Sequence, residues 1–108
     1  MDEREEFMRS FQCIAKLIKE KRLAHPKRYS QSDLSNLLGY KNGQFISNVE
    51  RGLCNIPYKV LPKVMSILNV SAEELKEAIL RDEEVTIDRF VSEKHSQKNS
   101  GDEQLRSP

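Results

Sequence analysis

Ser30-Gln31-Ser32-Asp33-Leu34-Ser35-Asn36-Leu37-Leu38-Gly39, followed after six intervening residues by Ile46-Ser47-Asn48-Val49-Glu50-Arg51-Gly52, decides how this chain folds. In the first stretch Leu34, Leu37 and Leu38 recur at the three- and four-residue spacing of one helix face. Ser30 or Gln31 opens the helix, and Asp33 stands three residues after Ser30, a weaker form of the serine–glutamate capping box. Gly39 closes it, because glycine takes the left-handed conformation at little cost. Tyr40-Lys41-Asn42-Gly43 then reads as a short turn, with Asn-Gly its strongest signal and Asn42 able to cap the next helix. That second short helix is expected from about Gly43 to Arg51, with Phe45, Ile46 and Val49 inward and Gly52 at its end.

The flanking segments are also helical in pattern. From about Glu3 to Arg22, Phe7, Phe11, Ile14, Leu17 and Ile18 form one apolar stripe. His25-Pro26 stops that helix, since the residue before proline resists the helical region. A basic loop, Lys27-Arg28-Tyr29, comes next. Pro57 sits near the start of a fourth helix whose core face is Val60, Leu61, Val64, Ile67 and Leu68, with Pro62 in or just after its first turn. Ser71-Ala72-Glu73-Glu74 is a capping box for a fifth helix, with Leu75, Ile79 and Leu80 inward. Residues 82–94 hold Val85, Ile87, Phe90 and Val91; they fit a sixth helix, an extension of the fifth, or a short strand. Residues 95–108 are rich in Ser, Gln, Asn, Lys, Gly and Asp and are expected to be disordered. The pattern predicts an all-α chain with one domain over residues 1–81, a candidate dimerisation element over 82–94 and a tail over 95–108.

Length and composition narrow the function. A chain of 108 residues is too short for a catalytic barrel, which needs about 200 or more. The acidic start, Met1-Asp2-Glu3-Arg4-Glu5-Glu6, lacks the basic and apolar regions of a secretory signal, so a soluble cytoplasmic protein is expected. Cys13 and Cys54 have no metal or redox spacing and read as free thiols. His25 and His95 lie in a loop and in the tail, and Glu73-Glu74 and Glu83-Glu84 read as solvated helix faces. No glycine-rich phosphate loop, HExxH or GxSxG occurs. Neither an enzyme nor a cofactor or metal is therefore expected. The formal net charge of +1 argues at first against nucleic acid, but the charges are segregated. Residues 11–70 carry 10 cations against 3 acids, whereas residues 1–10 carry 2 against 4 and residues 71–108 carry 6 against 10.

Two short helices across a glycine-bearing turn are the layout of a helix-turn-helix. Their steep crossing needs a small residue at the contact, and Ser35 fits; the turn needs positive φ, and Gly39 fits. Gln44, Ser47, Asn48 and Arg51 remain for the outer face of the third helix, hydrogen-bonding groups without an acid. These two stretches, together with Asn69-Val70-Ser71-Ala72-Glu73-Glu74-Leu75, resemble phage-repressor-like (Cro-repressor, XRE-type) DNA-binding domains over about residues 7–80. The resemblance implies a compact five-helix, lambda-repressor-like fold that binds double-stranded operator DNA, usually as a homodimer on a palindromic site. It places base contacts at Gly43, Gln44, Ser47 and Asn48. It makes Gln31 both a phosphate contact and a brace for the recognition helix, with further phosphate contacts at Asn42, Arg51, Asn55 and Tyr58. Lys41, Lys27 and Arg28 are expected as further phosphate contacts from the flanking loops.

The chain departs from the family in four places, one of them Gly43, which has no side chain where the family often has one. One extra residue lies between Gly39 and Ile46, which can shift the base-contact register. The loop between the first two helices is about five residues longer. The family often pairs an arginine of the first helix with the glutamate near the end of the third; Glu50 is present, but Ile18 occupies the usual partner position. Lys19, Arg22 or another cation replaces it, or Glu50 is exposed. The rival function is an antitoxin-like or adaptor module that holds a regulatory protein partner. RNA binding is disfavoured, because Tyr29 is the single aromatic residue near the basic loop.

Overall fold

The computed structural model describes the backbone of residues 8–106 and the side chains of residues 8–92. Among the described residues the chain is all-helical: α1 (Gln12–Ala24), α2 (Gln31–Leu37), α3 (Gln44–Glu50), a single 3-10 turn (Tyr58–Val60), α4 (Leu61–Leu68) and α5 (Ala72–Arg106). No helix among them is long and apolar enough to cross a membrane.

Each helix starts where its sequence lets it start. At α2 the Ser30 hydroxyl accepts the Asp33 N–H at 2.9 Å, and the Asp33 carboxylate accepts the Ser30 N–H at 3.0 Å. Ser71 and Glu74 repeat this reciprocal cap before α5, both bonds at 3.0 Å. The fourth segment begins as a 3-10 turn because Pro62 has no N–H to continue an α-helix from Tyr58; as the second residue of α4 it is harmless. Asn69 ends α4 in the left-handed region (φ +57°), and the Val70 N–H returns to the Met65 carbonyl at 3.2 Å.

The first helix begins later than its apolar stripe suggests. Residues 9–11 are not helical, and Phe11, in the N-cap position, makes no capping bond of its own. Phe7 lies outside the described residues. The cap comes from the far end of the chain. Asp82 of α5 accepts the Cys13 N–H at 2.8 Å on one oxygen and the Ile14 N–H at 3.0 Å on the other. The Ser10 hydroxyl donates to the same carboxylate at 3.2 Å, and the Ser10 N–H donates to the Thr86 hydroxyl at 2.7 Å. Asp82 and Thr86 are thus buried polar residues with partners, seated past the domain end expected at residue 81.

The core is a single cluster. Phe11, Ile14 and Ile18 meet Leu34 and Leu38 of the α2 segment, Ile46 and Val49 of α3, Ile56 to Leu68 around α4, and Val70, Leu75 and Ala78. Two positions expected in the core, Leu80 and Leu37, lie outside it. Leu80 is 65% exposed, because α5 buries the stripe Leu75, Ala78, Asp82 and Thr86, and residue 80 lies about 140° round the helix from residue 75. Leu37 is 47% exposed, at the edge of a hollow lined by Lys27, Tyr29, Asp33 and Asn36. The segment after Arg81 extends the fifth helix, one of the three forms the sequence allowed. That helix continues in backbone to Arg106, through most of residues 95–108, the stretch expected to be disordered; the side chains of residues 93–108 lie outside the described ones.

Asp82→Ala removes the carboxylate that caps α1 and leaves the Cys13 and Ile14 N–H groups without that partner. It should cost about 2 kcal/mol in urea unfolding, against a few tenths for exposed Asp88→Ala. The capping carboxylates also set an acid dependence. The Ser30 and Ser71 backbone N–H groups, foremost, hold the Asp33 and Glu74 carboxyls below their ordinary values, and Lys21 adds to the effect at Glu74. Carboxyls lowered by folding stabilise the protein above their unfolded values and lose that contribution as pH falls through their folded ones. Circular dichroism of acid unfolding should therefore find the wild type's advantage over Asp33→Asn with Glu74→Gln present at pH 7 and gone near pH 2.

Candidate nucleic-acid interface

Local chemistry fixes the α2–α3 pair before any side chain on its outer face matters. Ser35 is fully buried at the contact, and its hydroxyl accepts the Ile46 N–H at 3.1 Å, supplying a partner to the first turn of α3. Gly39 takes φ +98°, which lets the Tyr40 N–H return to the Ser35 carbonyl at 3.0 Å. Tyr40 and Phe45 stack with ring centroids 3.9 Å apart and planes 14° apart, bridging the turn. Asn42 caps α3 from one position before the N-cap, accepting the Gln44 N–H at 2.9 Å.

Gly43 serves packing. A Cβ there would stand 2.7 Å from the Ser32 hydroxyl and 3.1 Å from the Ser32 backbone nitrogen, so the start of α3 abuts the start of α2. The position has only backbone to present to a ligand. Gln44 is exposed, Ser47 and Asn48 are half-buried, and Arg51 is exposed just past the helix. Spacings of three and four put these four residues on one face, opposite buried Ile46 and Val49. The Gln44 side-chain amide donates to the Asn48 Oδ1 at 2.7 Å.

Beneath this face lies the partner of Glu50, and it is Arg22. Arg22 Nε and Nη2 donate to the two Glu50 carboxylate oxygens at 2.7 and 2.9 Å, while Nη1 donates to the Tyr29 carbonyl at 3.1 Å. Gln31 Nε2 donates to the same carboxylate at 2.9 Å. The Arg22 and Glu50 side chains are 10% and 3% exposed, so this is a buried, bidentate pair. Hydrogen bonding to Glu50 raises the Arg22 pKa further and keeps it a cation. The bracing half of the role expected of Gln31 is thus present in the geometry. Ile18 is wholly buried and Lys19 is exposed, which leaves the position one turn after Ile18 to supply the charge. A cation four residues beyond Ile18 on an apolar stripe is the available sequence signal for Arg22.

The flanking residues surround α3 in sequence and are open to solvent. Lys27, Arg28, Lys41, Asn42, Arg51 and Tyr58 are exposed, and Asn55 is half-buried with its side-chain oxygen on the Ile56 N–H at 2.8 Å. Of the 3 acids in residues 11–70, Glu50 is consumed by Arg22 and Asp33 by the α2 cap, leaving Glu20 on α1. The two cysteines stand apart from this chemistry. Burial foremost, and then the Asp82 carboxylate, push the Cys13 thiol up, and burial pushes up Cys54, so both are held as neutral thiols. No protein-family model matches the chain, and no curated protein or solved structure matches it either.

Arg22→Ala leaves Glu50 buried with one neutral partner and should destabilise the protein by about 3–5 kcal/mol in urea unfolding. Replacing both members with apolar residues, Arg22→Met with Glu50→Leu, should cost much less than the sum of the two single losses.

Proposed function

We propose that this chain is a non-enzymatic, cytoplasmic transcriptional regulator of the phage-repressor-like (Cro-repressor, XRE-type) kind. It binds operator DNA sequence-specifically, as a dimer, with α3 in the major groove. The observation that carries this reading is the outer face of α3: amide, hydroxyl and guanidinium groups, free of carboxylates, on a short helix whose back is clamped by Arg22, Gln31 and Glu50. Asn and Gln each present a donor and an acceptor, which suits base edges, and a good pair contributes about 1–3 kcal/mol of discrimination. The exposed cations Lys27, Arg28, Lys41 and Arg51 suit phosphate. Gly43 joins through its backbone, Ser47 and Asn48 through side chains, and Gln31, Asn42, Asn55 and Tyr58 on the phosphate side.

Dimerisation is assigned to α5. Ile87 and Val91 are 53% and 60% exposed, and Leu80 falls on the same stripe one heptad before Ile87, whereas Val85 and Phe90 are half-buried. Two recognition helices about 34 Å apart then meet half-sites one helical turn apart. The same exposed stripe favours the second reading, an antitoxin-like or adaptor subunit that holds a protein partner there. Duplex binding by the purified chain alone separates the two.

Gln44→Ala and Asn48→Ala should relax base preference in competition gel shifts, while Gln31→Ala and Lys41→Ala should weaken all sequences alike. Lys41→Ala should also lower the salt slope by about 1. Base preference unchanged in the first two variants would remove α3 from the reading. Ile87→Lys with Val91→Lys should shift sedimentation from dimer to monomer; an unchanged profile would take the dimer contact off α5.

A further inference from the structure

Gln44 and Asn48 are individually ordinary readers of bases, but their side chains are not independent. Gln44 Nε2 donates to Asn48 Oδ1 at 2.7 Å, on the exposed face of α3. That bond divides the hydrogen-bonding capacity of the two amides unequally. Gln44 keeps its carbonyl oxygen and one N–H, the acceptor–donor pair that adenine N6 and N7 require. Asn48 has one lone pair of its oxygen engaged and keeps both N–H groups, so its free capacity is weighted toward donation. An edge weighted toward donors fits bases that offer major-groove acceptors, guanine through N7 and O6 or thymine through O4.

The backbone under this pair is held on every side. Asn42 fixes the Gln44 N–H, Ser35 fixes the Ile46 N–H, Gly43 abuts Ser32, and Phe45 stacks on Tyr40. A side-chain bond on so rigid a support costs little further ordering and presents one fixed pattern of donors and acceptors. Residues four apart on a helix have Cβ atoms about 6 Å apart, a span of one or two base steps at about 3.4 Å each.

We propose that Gln44 and Asn48 read DNA as one hydrogen-bonded unit, Gln44 taking an adenine and Asn48 taking a guanine or thymine one or two steps away. This rests on the DNA-binding reading above and assigns Asn48 a second task, positioning Gln44. Loss of Asn48 then relaxes two base positions, not one.

Selection of bound duplexes from a random library, by the full chain and its variants, tests the unit. The wild type should enrich adenine together with guanine or thymine one or two steps away. Asn48→Ala should lose both preferences, the adenine by about tenfold, and Gln44→Ala with Asn48→Ala should be little worse than Asn48→Ala alone. Asn48→Asp is the separating variant. It retains an oxygen to hold Gln44 but has no N–H, so the adenine preference should survive while the neighbouring one is lost, at lower overall affinity from the added charge. Two independent preferences, each removed by one variant and additive in the double, would overturn the unit while leaving DNA binding intact. Adenine at the Asn48 position with guanine at the Gln44 position would overturn it too, by reversing the direction of the bond. Enrichment of no duplex by the wild type would overturn the DNA-binding reading itself, and the unit with it.

Discussion

The Arg22–Glu50 pair sets how the first three helices sit against one another. Removing two charges from water costs several kcal/mol per ion, and a single contact does not offset it. Here the guanidinium meets both carboxylate oxygens, its third nitrogen meets the Tyr29 carbonyl, and Gln31 fills a further site on the carboxylate. Four chain segments, α1, the basic loop, the start of α2 and the end of α3, therefore converge on one point. Such an arrangement tolerates little sliding, since any displacement leaves a buried charge short of partners. The position of the outer face of α3 is a consequence. That face can present a fixed pattern of polar groups because the back of the same helix cannot move.

A second polar junction closes the other end of α1. Its orphan N–H groups are served by Asp82, 68 and 69 residues away in sequence, and the Ser10–Thr86 bond and the Arg89 side chain on the Met8 carbonyl at 3.1 Å bind the preceding residues to α5. The first helix is thus held by charge at both ends, toward α3 at one and toward α5 at the other. The early part of α5 is built into the body, and its opposite face carries the exposed Leu80, Ile87 and Val91.

What is legible in the sequence is what depends on neighbours in sequence. The two capping boxes, the positive φ at Gly39, the boundaries of α2 and α3 and the small residue at Ser35 come from local chemistry, and the structure has each of them. Periodicity also places Ile14, Ile18, Leu34, Ile46 and Val49 in the core. It fails where two faces of a helix are both apolar enough to compete: it puts Leu80 inside, and Ala78 and Asp82 are there instead. An aspartate on the buried stripe of α5 carries no local signal, because its partners are backbone groups of another helix. The true start of α1 is hidden from periodicity for the same reason. At the candidate site, the residue types on α3 are visible in sequence, but the choice of Arg22 over Lys19 as the partner of Glu50 and the bond between Gln44 and Asn48 need coordinates.

Under the proposed function, the clamped α3 presents its outer face to double-stranded DNA. Titrating the isotope-labelled full chain with a duplex drawn from a bound pool, and tracking backbone and side-chain amides by NMR, tests it directly. The largest shifts are expected at Gln44, Ser47, Asn48 and Arg51, smaller ones at Gln31, Lys41 and Asn42, and almost none at Leu80 and Val85. Shifts confined to the exposed stripe of α5, or none at all, would contradict it.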